Sequence, residues 1–171
     1  GAIIKDNIRR LFSYLIVCHL GYVIGGLSLY TQMALLGAIF YLIHDIIVKT
    51  NLFLITGLVR QLRGSMNLSK LGGLYAQYPK ISIVIGIVLF SLAGIPPLSG
   101  FWPKIYLIRA AYADENYIFV LSIIFGSFIT LYLMAKIWSE VFWKKASTET
   151  FIEDKFEPLN KYSKVLLVLP I

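Results

Sequence analysis

Apolar residues fill four long blocks of the chain, about residues 11–30, 33–59, 81–112 and 117–143, and a fifth begins after Lys164. Polar residues gather in short clusters between them. Lys5, Asp6, Arg9 and Arg10 precede the first block, and the neutral pair Thr31 and Gln32 follows it. Arg60, Arg63, Lys70 and Lys80 mark a basic loop, Asp114 and Glu115 an acidic turn, and five lysines lie from Lys144 to Lys164. A helix crosses a bilayer in about 20 apolar residues. Blocks of this length, without the narrow stripe of a soluble amphipathic helix, predict an all-α integral membrane protein. It should hold about four complete transmembrane helices and a truncated fifth.

The third block is too long for one straight crossing and too short for two. Counted from Ile81 to Tyr112 it has 32 residues. Two crossings would put the acidic turn on the side of the basic loops, against the tendency of lysine and arginine to collect on the cytoplasmic face. One crossing with an unwound middle fits better. Gly94, Pro96, Pro97, Gly100 and Pro103 fall within ten residues and mark where the helix breaks. Lys104 follows immediately. Irregular backbone at membrane depth survives only where protein or water satisfies the freed carbonyls, and broken helices of this kind line ion and substrate sites. A simple proline kink is the alternative, but it does not account for five breakers beside a lysine. The alternating loops place the first ten residues, the basic loop and the lysine-rich segment on one side, the cytoplasmic side.

Composition narrows the classes further. Hydrophobic residues make up 58% of 171 positions, charged residues only 15%, and mean hydropathy is +0.75. The net charge of +7 and pI near 9.5 come from loop residues. With no basic face outside a membrane block, nucleic-acid binding is excluded. The lone cysteine, Cys18, can form no disulfide within the chain. No secretory leader is visible, and both ends read as those of a fragment, a single transmembrane domain covering residues 1–171.

Charges inside the blocks are the candidate chemistry. In YLIHDIIVKTNLF, Tyr41, Asp45 and Lys49 recur every four residues and share one helix face, with His44 about 100° round from Asp45. Lys49 lies roughly 16 Å along the helix from Arg60, too deep to reach the interface easily. A charge left alone at that depth costs about 2.5–3.5 kcal/mol on insertion scales. Asp45 and Lys49 are therefore expected to pair, with His44 as a relay partner. A purely structural pair is the alternative. Secondary candidates are Tyr41, His19 beside the Tyr14, Cys18 and Tyr22 face, and an i, i+4 pair of Lys136 and Glu140. Trp138 and Trp143 read as interface anchors. One carboxylate and one histidine do not make a metal site, and none is expected. Lys104 is expected to carry protons. An ordinary lysine holds its proton too tightly at neutral pH, but removal of water from around an ammonium favours its neutral form.

Three motifs in order, DNIRRLFSYLIVCHLGY, HDIIVKTNLFLITG and LAGIPPLSGFWPK, resemble the antiporter-like subunits shared by Mrp-type sodium/proton antiporters and respiratory complex I. The second and third look most like the D subunit of the Mrp antiporter. The resemblance implies a fourteen-helix fold built on two inverted five-helix repeats, of which this chain is the C-terminal part, within the second repeat. Lys104 matches the lysine of that repeat's broken helix, and His44 and Lys49 match the helix linking the two half-channels. Some complex I members carry glutamate at the Lys104 position. The implied role is proton translocation in a multi-subunit sodium/proton antiporter of the plasma (inner) membrane, multi-pass, with other subunits, lipid, protons and sodium ions as partners. It implies no cofactor, and a secondary antiporter component rather than an enzyme in its own right. The alternative is a proton-pumping subunit of NADH-quinone oxidoreductase or a related membrane hydrogenase.

Overall fold

The structure, a computed structural model, describes residues 7–68 and 71–145. The expected fifth span, most of the lysine-rich segment, Lys5, Asp6 and Lys70 lie outside the described residues. Helix α1 spans Ile8–Ser28, opened by the Asn7 side chain, which accepts the backbone N–H of Arg9 at 3.1 Å. Helix α2, Gln32–Arg63, is opened in the same way by Thr31 on Ala34 N–H and closed by Gly64 in the left-handed conformation. Arg60 and Arg63 thus belong to a helix that runs past the apolar block, and Lys80 lies in another; the basic loop is shorter than its charges suggest. It holds the short helix α3, Leu74–Gln77.

The third block forms two helices, α4 at Pro79–Ala93 and α5 at Phe101–Ala113. With 15 and 13 residues, each reaches only about 20 Å against a hydrocarbon core of about 30 Å. Pro79 starts α4, and Gly94 ends it with φ +84°, a conformation glycine adopts without strain. The Pro96–Pro97 peptide is cis. Helix α6, Tyr117–Trp138, is capped by Asn116 and continues into a π-helical turn at Ser139–Trp143. By length and composition, α1, α2 and the stretch 117–143 can each cross a membrane.

Contacts fix the directions. Near one end, Ile8 and Phe12 of α1 meet Ile55 and Val59 of α2, Ile85 and Leu89 of α4, and Ile137 and Val141 beyond. Near the other end, a Cβ on Gly26 of α1 would touch Leu107 of α5 and Ala38 of α2, and one on Gly25 would touch Phe119 of α6. Hence α4 and α5 follow one another along α1, antiparallel to α2 and α6, as one broken crossing. The start of α1, the loop after α2 and the residue after the π-turn gather at one end: Ile8 N–H donates to Met66 at 3.2 Å and Gly73 N–H to Lys144 at 2.6 Å. The turns at 29–31 and 114–116 lie at the other. Large apolar side chains face outward, among them Val17, Ile24, Ile46, Ile118 and Phe125, while His19, Asp45, Lys49 and Lys104 are buried. This inside-out arrangement suits lipid or further protein, not water.

Candidate functional site

The buried stripe of α2 runs through Ala38, Tyr41, Asp45, Val48, Lys49 and Leu52, with His44 at its edge. A 3.6-residue period brings its ionisable groups to the centre of the bundle. Asp45 is the hub. Its Oδ2 accepts Lys49 Nζ at 2.6 Å, one turn away, and its Oδ1 meets His19 Nδ1 of α1 at 2.8 Å. Lys49 also donates to the Leu15 carbonyl at 3.3 Å. His19 is fully buried, with its Nε2 3.4 Å from the Thr130 hydroxyl of α6. Tyr22 stacks on its ring at 5.6 Å and Tyr41 meets it edge-on at 5.8 Å.

Lys104 occupies the break. It lies in the first turn of α5, where the helix's own N-terminal dipole opposes a positive charge. Its side chain reaches back across the gap and donates to the carbonyls of Ala93 at 2.7 Å and Leu92 at 3.4 Å. Those are among the last carbonyls of α4, left without helical partners, and they form the negative end of that helix. Among the described residues no carboxylate lies within ion-pair distance of Lys104. Gly94 packs on the ammonium from one side, where a Cβ would stand 3.0 Å from Nζ.

His44 of α2 also borders the break. It is buried, its Nε2 has no hydrogen-bond partner among the described residues, and a Cβ on Gly100 would stand 2.8 Å from it. The hydroxyls of Ser91 and Ser99 bridge the break at 2.8 Å. A cavity of about 120 Å³ runs beside them along Val48 and Pro97, and one of about 270 Å³ lies beside Lys104, Ile108, Ser127 and Phe128. Pro103 is buried in the first turn of α5, where proline's missing N–H leaves no helical bond unmade.

Several sequence expectations are rearranged. His19, a secondary candidate, is the histidine bonded to Asp45, whereas His44 faces the break. Tyr14 and Cys18 are exposed while Tyr22 is buried, because a face defined by every fourth residue drifts round the helix. Glu140 accepts the Lys144 ammonium at 2.9 Å, one turn after itself. Trp138 packs inward on Gly86 and stacks on Phe142 at 4.6 Å, so only Trp143 projects as an anchor would. Thr130 was not anticipated. Among the described residues no group of three or more His, Cys, Asp or Glu could hold a metal ion.

A helical membrane protein with one discontinuous span, a lysine at the gap and a buried His–Asp–Lys cluster beside it is built like the ion-translocating class. Residues 1–130 match the NADH:quinone oxidoreductase/Mrp antiporter TM family, and the chain belongs to that family. It is 43% identical over 143 residues to the D subunit of the Na(+)/H(+) antiporter of Alkalihalophilus pseudofirmus, an alignment covering 84% of this chain and 29% of that protein. The structure of the Mrp complex from Dietzia sp. DQ12-45-1b superposes with a TM-score of 0.80 at 34% identity, covering 86% of this chain and 28% of that one. Respiratory complex I from Thermus thermophilus shares the fold, with a TM-score of 0.76 at 23% identity over 99% of this chain and 37% of its own. The chain therefore spans about a third of the length of these relatives.

Proposed function

We propose that this chain is the C-terminal, second-repeat part of a proton-translocating subunit in a multi-subunit sodium/proton antiporter of the plasma membrane. Protons pass through Lys104, Lys49, His44 and Asp45, with His19 joined to Asp45. The observation that carries the reading is Lys104: a buried amine at a helix break, held by two carbonyls, with no carboxylate in ion-pair distance among the described residues. Carbonyl partners bind an ammonium without fixing its charge as an opposite ion would, so the amine can give up its proton and take it back. The Asp45–Lys49 pair supplies a second charge whose state can sense that of Lys104 through the low-dielectric interior. The end of the bundle bearing Arg9, Arg10, Arg60 and Lys144 faces the cytoplasm, in keeping with its positive charge.

The antiporter reading ranks above a redox-driven pump because the 43%-identical relative is the D subunit of an antiporter, whereas complex I shares the fold alone. In assembled complexes reconstituted into vesicles, Lys104→Ala should reduce sodium-driven proton movement to background with assembly intact. Transport at the parental rate in that variant would remove Lys104 from the pathway and the reading with it.

A further inference from the structure

Helix α6 carries three hydroxyl side chains within its apolar length that spend their hydrogen alike. Ser122, Ser127 and Thr130 each donate to the carbonyl four residues back, at 2.7–2.8 Å. Ser122 is exposed and Ser127 half-buried. Thr130 differs, being fully buried with its oxygen 3.4 Å from His19 Nε2. Gly126, one turn earlier on the same face, leaves the room that the Tyr22 hydroxyl takes up. Together Gly126 and Thr130 let α1 approach closely enough for His19 to reach across.

Hydrogen-bond accounting around the ring is restrictive. Nδ1 faces Asp45 Oδ1, and an ionised carboxylate only accepts. With the Thr130 hydrogen committed to the Gly126 carbonyl, the Thr130 oxygen can only accept as well. A ring between two acceptors needs an N–H on both nitrogens, which is the charged imidazolium. The neutral ring would keep its Nδ1–H on Asp45 and present a lone pair at Nε2, which calls for a donor. Thr130 can supply that donor by rotating its hydroxyl. The Gly126 carbonyl it leaves still has its helical N–H partner.

We propose that Thr130 is a hydroxyl switch that matches His19 in both protonation states, making it a positioning residue for proton transfer through the Asp45 cluster; this rests on the pathway reading above. When a hydronium delivers its proton, an N–H bond forms at Nε2, an O–H bond of the hydronium breaks, and water is left. The Thr130 O–H turns from Nε2 to the Gly126 carbonyl, and its oxygen accepts the new N–H. Unloading to water reverses each step. The other titratable groups that act on the ring are Tyr22 of α1, Tyr41, His44, Asp45 and Lys49 of α2, and, from α5, Lys104. Among the described residues, the hydrogen-bond partner of Nε2 is Thr130.

Thr130→Val removes the hydroxyl at nearly equal volume and leaves both ring states without a partner. The charged ring loses more, because hydrogen bonds to ions are roughly twice as strong as neutral ones. Loading should then need more acid. In assembled complexes, the transport-against-pH profile of Thr130→Val should move about one unit towards acid, a loss of about tenfold on the alkaline limb. Thr130→Ser, which keeps the hydroxyl, should follow the parental profile. Thr130→Ala replaces the valine variant if that one does not assemble. A parental profile in the variant lacking the hydroxyl, or equal losses in the serine and valine variants at every pH, would overturn the switch. Lys104→Ala measured alongside separates the two proposals. If it abolishes transport while Thr130→Val behaves as parent, only the switch fails; if it transports normally, the pathway fails and the switch falls with it.

Discussion

Lys49 and Lys104 are the same residue type, 6% and 5% exposed, and deep in the same bundle, yet they solve the problem of a buried charge in different ways. Lys49 has a carboxylate on its own helix, and Asp45 shares that carboxylate with His19. Lys104 has backbone instead: the open end of α4 turns its last carbonyls, and their share of the helix dipole, onto the ammonium. A side-chain pair ties two charges to one another, so removing either strands the other. A broken helix offers fixed dipoles that tolerate the amine charged or neutral.

The comparison can be broken most severely at Asp45. Asp45→Asn leaves Lys49 without its anion, which should destabilise the assembled complex by about 3–5 kcal/mol. The double variant Asp45→Asn with Lys49→Met should recover much of that. Lys104→Met strands no ion and should cost only about 1–3 kcal/mol from carbonyls left short of a donor. Thermal unfolding of the purified complexes checks the ranking, and additive losses in the Asp45 and Lys49 variants would show that they act separately.

A sharper probe of the break itself is Gly100→Ala. The new methyl would meet the Ser91 carbonyl and His44 Nε2, and overpacking of this kind costs about 1–3 kcal/mol. Transport should fall more than in Lys104-distant controls, because His44 is pushed from the gap; unchanged transport with a lowered melting temperature would place His44 outside the pathway. The smallest effect belongs to the bundle's end. Glu140 and Lys144 are partly exposed, and such pairs contribute about 0–1 kcal/mol. Glu140→Gln should leave melting and transport near parental values, and a large loss there would mean that this end of the bundle does more than hold the π-turn.

The break was legible in the sequence because glycine and proline act locally: Gly94 ends α4 and Pro103 sits in the first turn of α5 whatever surrounds them. The shared face of Tyr41, Asp45 and Lys49 was legible for the same reason, since periodicity within one helix needs no knowledge of its neighbours. Partners across helices were not. Whether His19 or His44 meets Asp45 depends on the rotation and height of α1 against α2, set by close approaches such as Gly26 on Ala38. Thr130 was hidden for a related reason. Serine and threonine in a membrane helix usually bond their own carbonyl four residues back, as Thr50, Thr56 and Ser127 do. Only the packing of α1 on α6 distinguishes it. The extension of α2 past Val59 and the π-turn after Trp138 followed from capping and end geometry that hydropathy does not see.

The account turns on whether Lys104 carries protons or merely anchors the broken helix. Lys104→Arg separates the two, with antiport measured in reconstituted complexes whose assembly matches the parent. Arginine keeps a permanent charge and offers more donors to the Leu92 and Ala93 carbonyls. It can replace an anchor but cannot release a proton. The account predicts a stable, assembled complex with antiport at background. Antiport at the parental rate in the arginine variant would contradict it.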